Sequence, residues 1–278
     1  MTNHENLRAV TDDGVALHVE VQEAEPDAPT VVFVTGVNTT LRFWRRQRGE
    51  LTGRARMVLY DHRGHGGSGQ TEPGAATIAQ LARDLHVVIT TAAPDEPVVL
   101  VGHSMGGMVI TALAEQLREG FHDLVRSVVL INSVPNGLAQ HWMKISEAAA
   151  RRTVQVVRKV LPAARRTSLA LTPLLRRAGL VRLLPEVPSE VTEAFMAAAS
   201  FADHRAGLER FHDRNTLVIA GERDNWVPLV ATTAMARTIR GATFVVIPGG
   251  GHLTPVRNPE LVSAHLRSYL DSVTADRR

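Results

Sequence analysis

The chain has 278 residues, 44% hydrophobic and 21% charged, which excludes a disordered or collagen-like polymer and suffices for one domain, with or without an insertion. It contains no cysteine, so disulfides, cysteine-ligated zinc and a thiolate nucleophile are all excluded. The net charge of +3 hides an asymmetry, because residues 148–185 carry nine arginines and lysines and no acid, leaving 22 bases against 28 acids elsewhere.

The polar start, Met1-Thr-Asn-His-Glu-Asn, lacks the features of a signal peptide, and no apolar run reaches membrane-spanning length, so a cytoplasmic protein with no transmembrane segment is expected. Leu7-Arg-Ala-Val10 and Val15-Ala-Leu-His-Val19 flank Thr11-Asp-Asp-Gly14, whose Asp-Gly predicts a hairpin turn. Six short apolar runs follow: Val31-Val-Phe-Val34, Met57-Val-Leu-Tyr60, Val98-Val-Leu-Val101, Val128-Val-Leu-Ile131, Leu217-Val-Ile-Ala220 and Phe244-Val-Val-Ile247. Continuous apolar runs of this kind suit strands buried on both faces. Helical patterns near 77–92, 105–119, 229–239 and 259–272 alternate with them, which predicts an α/β fold with a doubly wound, mostly parallel sheet.

That rhythm breaks over 136–210, where about seventy residues are helix-like and too many to be a loop. Pro162, Pro173, Pro185 and Pro188 divide the stretch, and Val154, Val157 and Leu161 fall at helical spacing opposite paired arginines. The expected organisation is a core of 1–135 and 211–278 with a helical cap inserted at 136–210.

Val98-Val-Leu-Val101 runs into Gly102-His-Ser-Met-Gly106 and then into a helical pattern, which matches G-x-S-x-G in its strand, turn and helix setting. A serine on such a bend exposes its Oγ above the sheet, and small neighbours let strand and helix backbones approach. Ser104 is therefore the candidate nucleophile, against the plainer reading of a capping serine in a glycine-rich turn. The helix behind it directs free N–H groups at the site, and the Met105 N–H is a candidate oxyanion donor. A serine hydroxyl also needs a base and a group that orients the base.

Of twelve histidines, His252 combines a preceding strand with a Gly249-Gly-Gly251 lead-in, which places it on a loop at a strand's C-terminal end. Asp224, in Gly221-Glu-Arg-Asp-Asn-Trp-Val-Pro228, again follows a strand directly. Alone, each reads equally as a solvated loop histidine or a helix-capping aspartate. Ligands collect at that edge of such sheets, and Asp224 would fix the imidazole tautomer while His252 takes the Ser104 proton.

With the elbow at 102–106 and the order Ser104, Asp224, His252, the chain resembles the α/β-hydrolase family, and in particular its carboxylesterase-like serine hydrolases with a helical cap. The resemblance implies hydrolysis of a carboxylic ester, thioester or lactone of a small to medium hydrophobic substrate through an acyl-enzyme on Ser104. It also implies a second oxyanion donor after the third strand. Here the text is Thr35-Gly-Val37, with threonine where relatives carry histidine, so Val37 N–H would be the donor and the loop must be held differently. Asp61-His-Arg-Gly-His-Gly-Gly-Ser68 corresponds to a structural loop of the family, which gives Asp61 and Arg63 no catalytic role.

Gly64-His-Gly-Gly-Ser-Gly69 also fits a dinucleotide-binding pattern, but no helix can open at Gln70-Thr-Glu-Pro-Gly74. No His-Glu-x-x-His pattern occurs, so neither a metal nor another cofactor is expected. Nucleic acid is not expected either, because stacking aromatics are absent from 143–194. The basic stretch reads plainly as a solvated arginine face and, more sharply, as a site for an anionic substrate, an acidic carrier or a membrane surface at the cap. Trp142, Met143, Phe195, Met196 and Phe201 are candidates for an apolar pocket, with core packing the plainer use for most of them. Two alternatives stay open: a non-catalytic ligand-binding member of the fold, and a perhydrolase, carbon–carbon hydrolase or lyase using the same residues.

Overall fold

A computed structural model describes residues 4–137 and 189–275. All six apolar runs are strands, and the N-terminal hairpin adds two more. In chain order these are β1 (His4–Val10), β2 (Ala16–Gln22), β3 (Thr30–Val34), β4 (Arg56–Tyr60), β5 (Val98–His103), β6 (Val125–Ile131), β7 (Thr216–Gly221) and β8 (Thr243–Ile247). They form one sheet in the order β1-β2-β4-β3-β5-β6-β7-β8, with β2 antiparallel to both its neighbours, β1 and β4, and the other pairings parallel. The hairpin turns where expected, with Gly14 at φ +82 and its N–H on the Thr11 carbonyl at 2.9 Å.

The helices among the described residues are α1 (Arg45–Glu50), α2 (Ile78–Ala92), α3 (Met105–Leu117), α4 (Phe121–Leu124), α5 (Ser189–Phe201), α6 (Leu229–Thr238), α7 (Thr254–Arg257) and α8 (Pro259–Ala275). α2 shows why such segments are helical: Ile78, Leu81, Leu85, Val88 and Ile89 recur on one buried face, and the Thr77 side chain caps the Gln80 N–H. Alternation along each central strand then builds two cores. Val32, Val34, Leu100 and Leu130 face α2 and α3, whereas Val31, Phe33, Val101 and Ile131 face Trp44 and the Val262, Leu266 and Leu270 stripe of α8.

Residues 138–188 lie outside the described residues, and with them Trp142, Met143, the four prolines, the Val154–Val157–Leu161 stripe and the basic stretch 148–185. At the flanks of that segment, Asn136 bridges to Asp203, and Val191, Phe195 and Ala199 of α5 are buried against the α2 side of the sheet. The consequence for function lies at one edge. The loops 35–38, 103–107, 132–134, 221–227 and 248–252 all follow C-terminal ends of neighbouring parallel strands, where a parallel sheet gathers its reactive groups.

Candidate active site

Ser104 sits in the turn from β5 to α3 with φ +53 and ψ −121, a left-handed conformation that few non-glycine residues adopt. The strain is held by its surroundings. The Ser104 N–H donates to the Ile131 carbonyl at 3.0 Å, and its own carbonyl accepts from Gly107 N–H and from Ser133 Oγ at 2.7 Å. A Cβ on Gly106 would lie 2.3 Å from the Val34 carbonyl oxygen, and one on Gly102 2.7 Å from the Gly107 nitrogen, so both positions require glycine.

His252 Nε2 accepts from Ser104 Oγ–H at 2.9 Å, and His252 Nδ1–H donates to Asp224 Oδ2 at 2.8 Å. The second carboxylate oxygen, Asp224 Oδ1, accepts the Trp226 and Val227 N–H groups at 2.7 and 2.8 Å. Asp224 therefore braces its own loop and holds the imidazole at the same time; it does not cap α6, whose N-cap is Pro228. The arrangement can move a proton from Ser104 to His252, with the carboxylate fixing the tautomer that leaves Nε2 free to accept it.

Val37 and Met105 line the cavity above Ser104, and neither N–H has a hydrogen-bond partner among the described residues. Met108, Val134, Met196 and Val227 complete an apolar wall, while Trp226, half exposed, lies nearly parallel to the His252 ring at 5.9 Å. Of the pocket candidates in α5, Met196 is in that wall, but Phe195 is fully buried against His65 instead.

The loop bearing Thr35 is held by histidines that sequence reasoning did not single out for it. His62 Nε2–H donates to the Thr35 carbonyl at 3.0 Å. His65 Nδ1–H donates to the Arg63 carbonyl at 3.0 Å, which leaves Nε2 to accept the Asn38 N–H at 3.3 Å. Burial, helped by the neighbouring His65, holds His62 neutral with a pKa of about 3, and burial also lowers His65. The loop supplying these imidazoles is itself tied down. Asp61 accepts the Leu41 and Gly67 N–H groups, and the fully buried Arg63 pairs with both Asp84 and Asp13, so these two residues serve structure as expected.

Two further residues escaped the sequence. His103 Nε2–H and Asn132 Nδ2 both donate to the His252 carbonyl, at 2.8 and 2.7 Å. His103 is the variable position of the serine pentapeptide, a hint of proximity; Asn132 carries only its place directly after a buried strand. Among the described residues no helix is long and apolar enough to cross a membrane, and no group of three or more His, Cys, Asp or Glu could hold a metal ion.

The sequence profile of the alpha/beta hydrolase fold matches residues 29–259. The chain belongs to the α/β-hydrolase fold family. This α/β hydrolase is 28% identical over 261 residues to RutD of Escherichia coli O103:H2, a candidate carbamate hydrolase, covering 89% of this chain and 93% of RutD. It is 27% identical to a thermophilic esterase from Thermogutta terrifontis solved with malate bound, with a TM-score of 0.75 over 97% of this chain and 99% of that one. A hydrolase from Pseudomonas aeruginosa PA01 is 27% identical, with a TM-score of 0.74 over 96% and 98% of the two chains.

Proposed function

We propose that this α/β hydrolase cleaves carboxylic esters, thioesters or lactones of small to medium hydrophobic substrates through an acyl-enzyme on Ser104. The observation that carries the reading is the unbroken chain from Ser104 Oγ through both nitrogens of His252 to the Asp224 carboxylate, at 2.9 and 2.8 Å. His252 takes the Ser104 proton as Oγ attacks the acyl carbon, and the Val37 and Met105 N–H groups receive the developing oxyanion. His252 then returns the proton to the leaving alcohol, and a water repeats the cycle on the acyl-enzyme.

The apolar wall of Met108, Val134, Met196 and Val227 supports a hydrophobic acyl or alcohol group. The cap at 136–210, on a core of 1–135 and 211–278, and capture of an anionic substrate or carrier by its basic stretch belong to the same proposal. Likeness to RutD supports a second acyl class, a carbamate, which the same attack would open with release of an amine or alcohol.

Hydrolysis of a graded series of p-nitrophenyl esters, run with wild type and Ser104→Ala at low and high salt, tests the reading. Ser104→Ala should lose about 10⁴–10⁶-fold in kcat. Equal turnover by both proteins would overturn the mechanism, and salt-independent turnover of an acyl group on an acidic carrier would remove the role given to the basic stretch.

A further inference from the structure

We propose that Asn132 and His103 are positioning residues that aim the base through its backbone, by gripping the His252 carbonyl from the ends of two neighbouring strands. The proposal rests on the reading of His252 as the base of a serine hydrolase.

His252 follows three consecutive glycines, the first at φ +65, so its own segment supplies little stiffness. Asp224 restrains the ring but not the backbone behind it. That backbone is where Asn132 and His103 act. Asn132 is fully buried at the end of β6, and its N–H extends the ladder to the Ile219 carbonyl of β7 at 2.9 Å. At that point the chain turns away at φ +49, a conformation asparagine tolerates better than most residues.

The carboxamide then does what the departing backbone cannot. Its Oδ1 accepts the Gly221 N–H at 2.7 Å, at the root of the loop carrying Asp224. The two hydrogens of its Nδ2 are shared among three acceptors on the loop carrying the base, the carbonyls of Gly251 and His252 at 3.1 and 2.7 Å and Thr254 Oγ1 at 2.9 Å. The partners fix its orientation, because a backbone N–H requires the oxygen and two carbonyls require the NH₂. One side chain therefore joins the acid loop to the base loop. The two loops also touch directly: Arg223 N–H donates to the Gly250 carbonyl at 2.7 Å, and a Cβ on Gly221 would stand 2.6 Å from the Gly251 oxygen.

His103 holds the same His252 carbonyl from β5, with its Nε2–H at 2.8 Å. Its ring is fixed by stacking on Phe43, centroids 4.6 Å apart and planes 28° apart. Its Nδ1 is buried without a partner, and burial together with the nearby His252 keeps the ring neutral, at a pKa of about 3. A neutral ring with its proton on Nε2 is the form that can donate here. The two donors make the position of His252 a property of the sheet.

The test uses the full chain with Asn132→Asp, His103→Phe and the double variant. Aspartate tolerates the same φ and keeps the acceptor for Gly221, but it loses both donors; phenylalanine keeps the stack on Phe43 and loses the Nε2–H. Two readouts apply: kcat and KM on an ester that wild type cleaves, and the rate at which a p-nitrophenyl alkylphosphonate labels Ser104. A base displaced by a fraction of an ångström should lower kcat and labelling by about 10- to 100-fold with KM within about twofold.

The double variant should fall short of the product of the singles, because both donors act on one oxygen. Near-ultraviolet circular dichroism identifies folded variants, and His103→Phe carries the test where Asn132→Asp does not fold. Folded variants that label at the wild-type rate, or that raise KM with kcat unchanged, overturn the clamp while the hydrolase reading stands. A wild type that neither turns over nor labels at Ser104 overturns both.

Discussion

The two sides of the site are secured by different means. On the side of Ser104, Asp224 and His252, each group leaves the end of a strand and is tied to the other two or to neighbouring strand ends, as when Asp224 Oδ2 accepts from His252 while its Oδ1 accepts the N–H groups of Trp226 and Val227. On the side of Val37, the loop contributes few contacts of its own and is held by imidazoles from 62 and 65, which reach the Thr35 carbonyl and the Asn38 N–H. In the proposed mechanism, proton transfer depends on the first arrangement and the Val37 half of the oxyanion hole on the second. Each side nevertheless leans on an imidazole that burial holds neutral, His103 behind the first and His62 on the second, so acid should weaken both in the same window.

The acid response follows from the direction of the shifts. His62 and His103 titrate near 3 in the fold, against 6.5 when free. Above pH 6.5 both states are neutral and the stability is complete. As pH falls from 6.5 toward 3, the unfolded chain gains protons that the folded chain refuses, so stability is lost across that window. At pH 5 the loss is about 2 kcal/mol per histidine. The expected result is a denaturation midpoint that drops steeply between pH 6.5 and 5, and a flat midpoint over that range would show that these rings are not held neutral.

That contrast also sets what the sequence discloses. β3 to β8 and the long helices are legible, because apolar runs and a helical stripe such as Ile78, Leu81, Leu85 are short-range signals. Ser104, Asp224 and His252 are legible as candidates for the same reason, since each sits in a local strand-to-loop context. The work of His62, His65, His103 and Asn132 is not legible, because it consists of bonds to backbone atoms 27 to 149 residues away. Beyond the place of His103 in the serine pentapeptide and of Asn132 directly after a buried strand, nothing local marks these side chains for that work. The substitution of threonine for histidine at 35 does announce that the loop must be held differently, but not by what.

His65→Phe isolates the second side. Phenylalanine keeps an aromatic ring against Phe195, whose centroid is 5.4 Å away, but it removes the acceptor for Asn38 N–H and the donor to Arg63. The Val37 amide should then be misplaced while Ser104, His252 and Asp224 stay in register. Outright loss of an oxyanion donor costs about 10²–10³-fold, so a displaced one should cost about 10- to 100-fold in kcat. Phosphonate labelling of Ser104 should fall with it, and an unchanged kcat in a folded variant would separate the loop from the oxyanion.

Thr35→Val gives the smallest effect and the sharpest statement about that loop. Thr35 is fully buried, and its Oγ1 has no partner among the described residues, whereas its carbonyl accepts a hydrogen bond from His62 Nε2–H. If the imidazole holds the loop through the backbone, the hydroxyl is idle, and a methyl of the same shape removes an unpaired polar atom from the interior. Stability should stay level or rise by less than about 1 kcal/mol, with kcat within about twofold. Both are read from a urea titration and a single ester. A loss of about 2 kcal/mol or more would mean that the hydroxyl, and not the backbone, anchors the loop, which would shift to Thr35 the role assigned to His62.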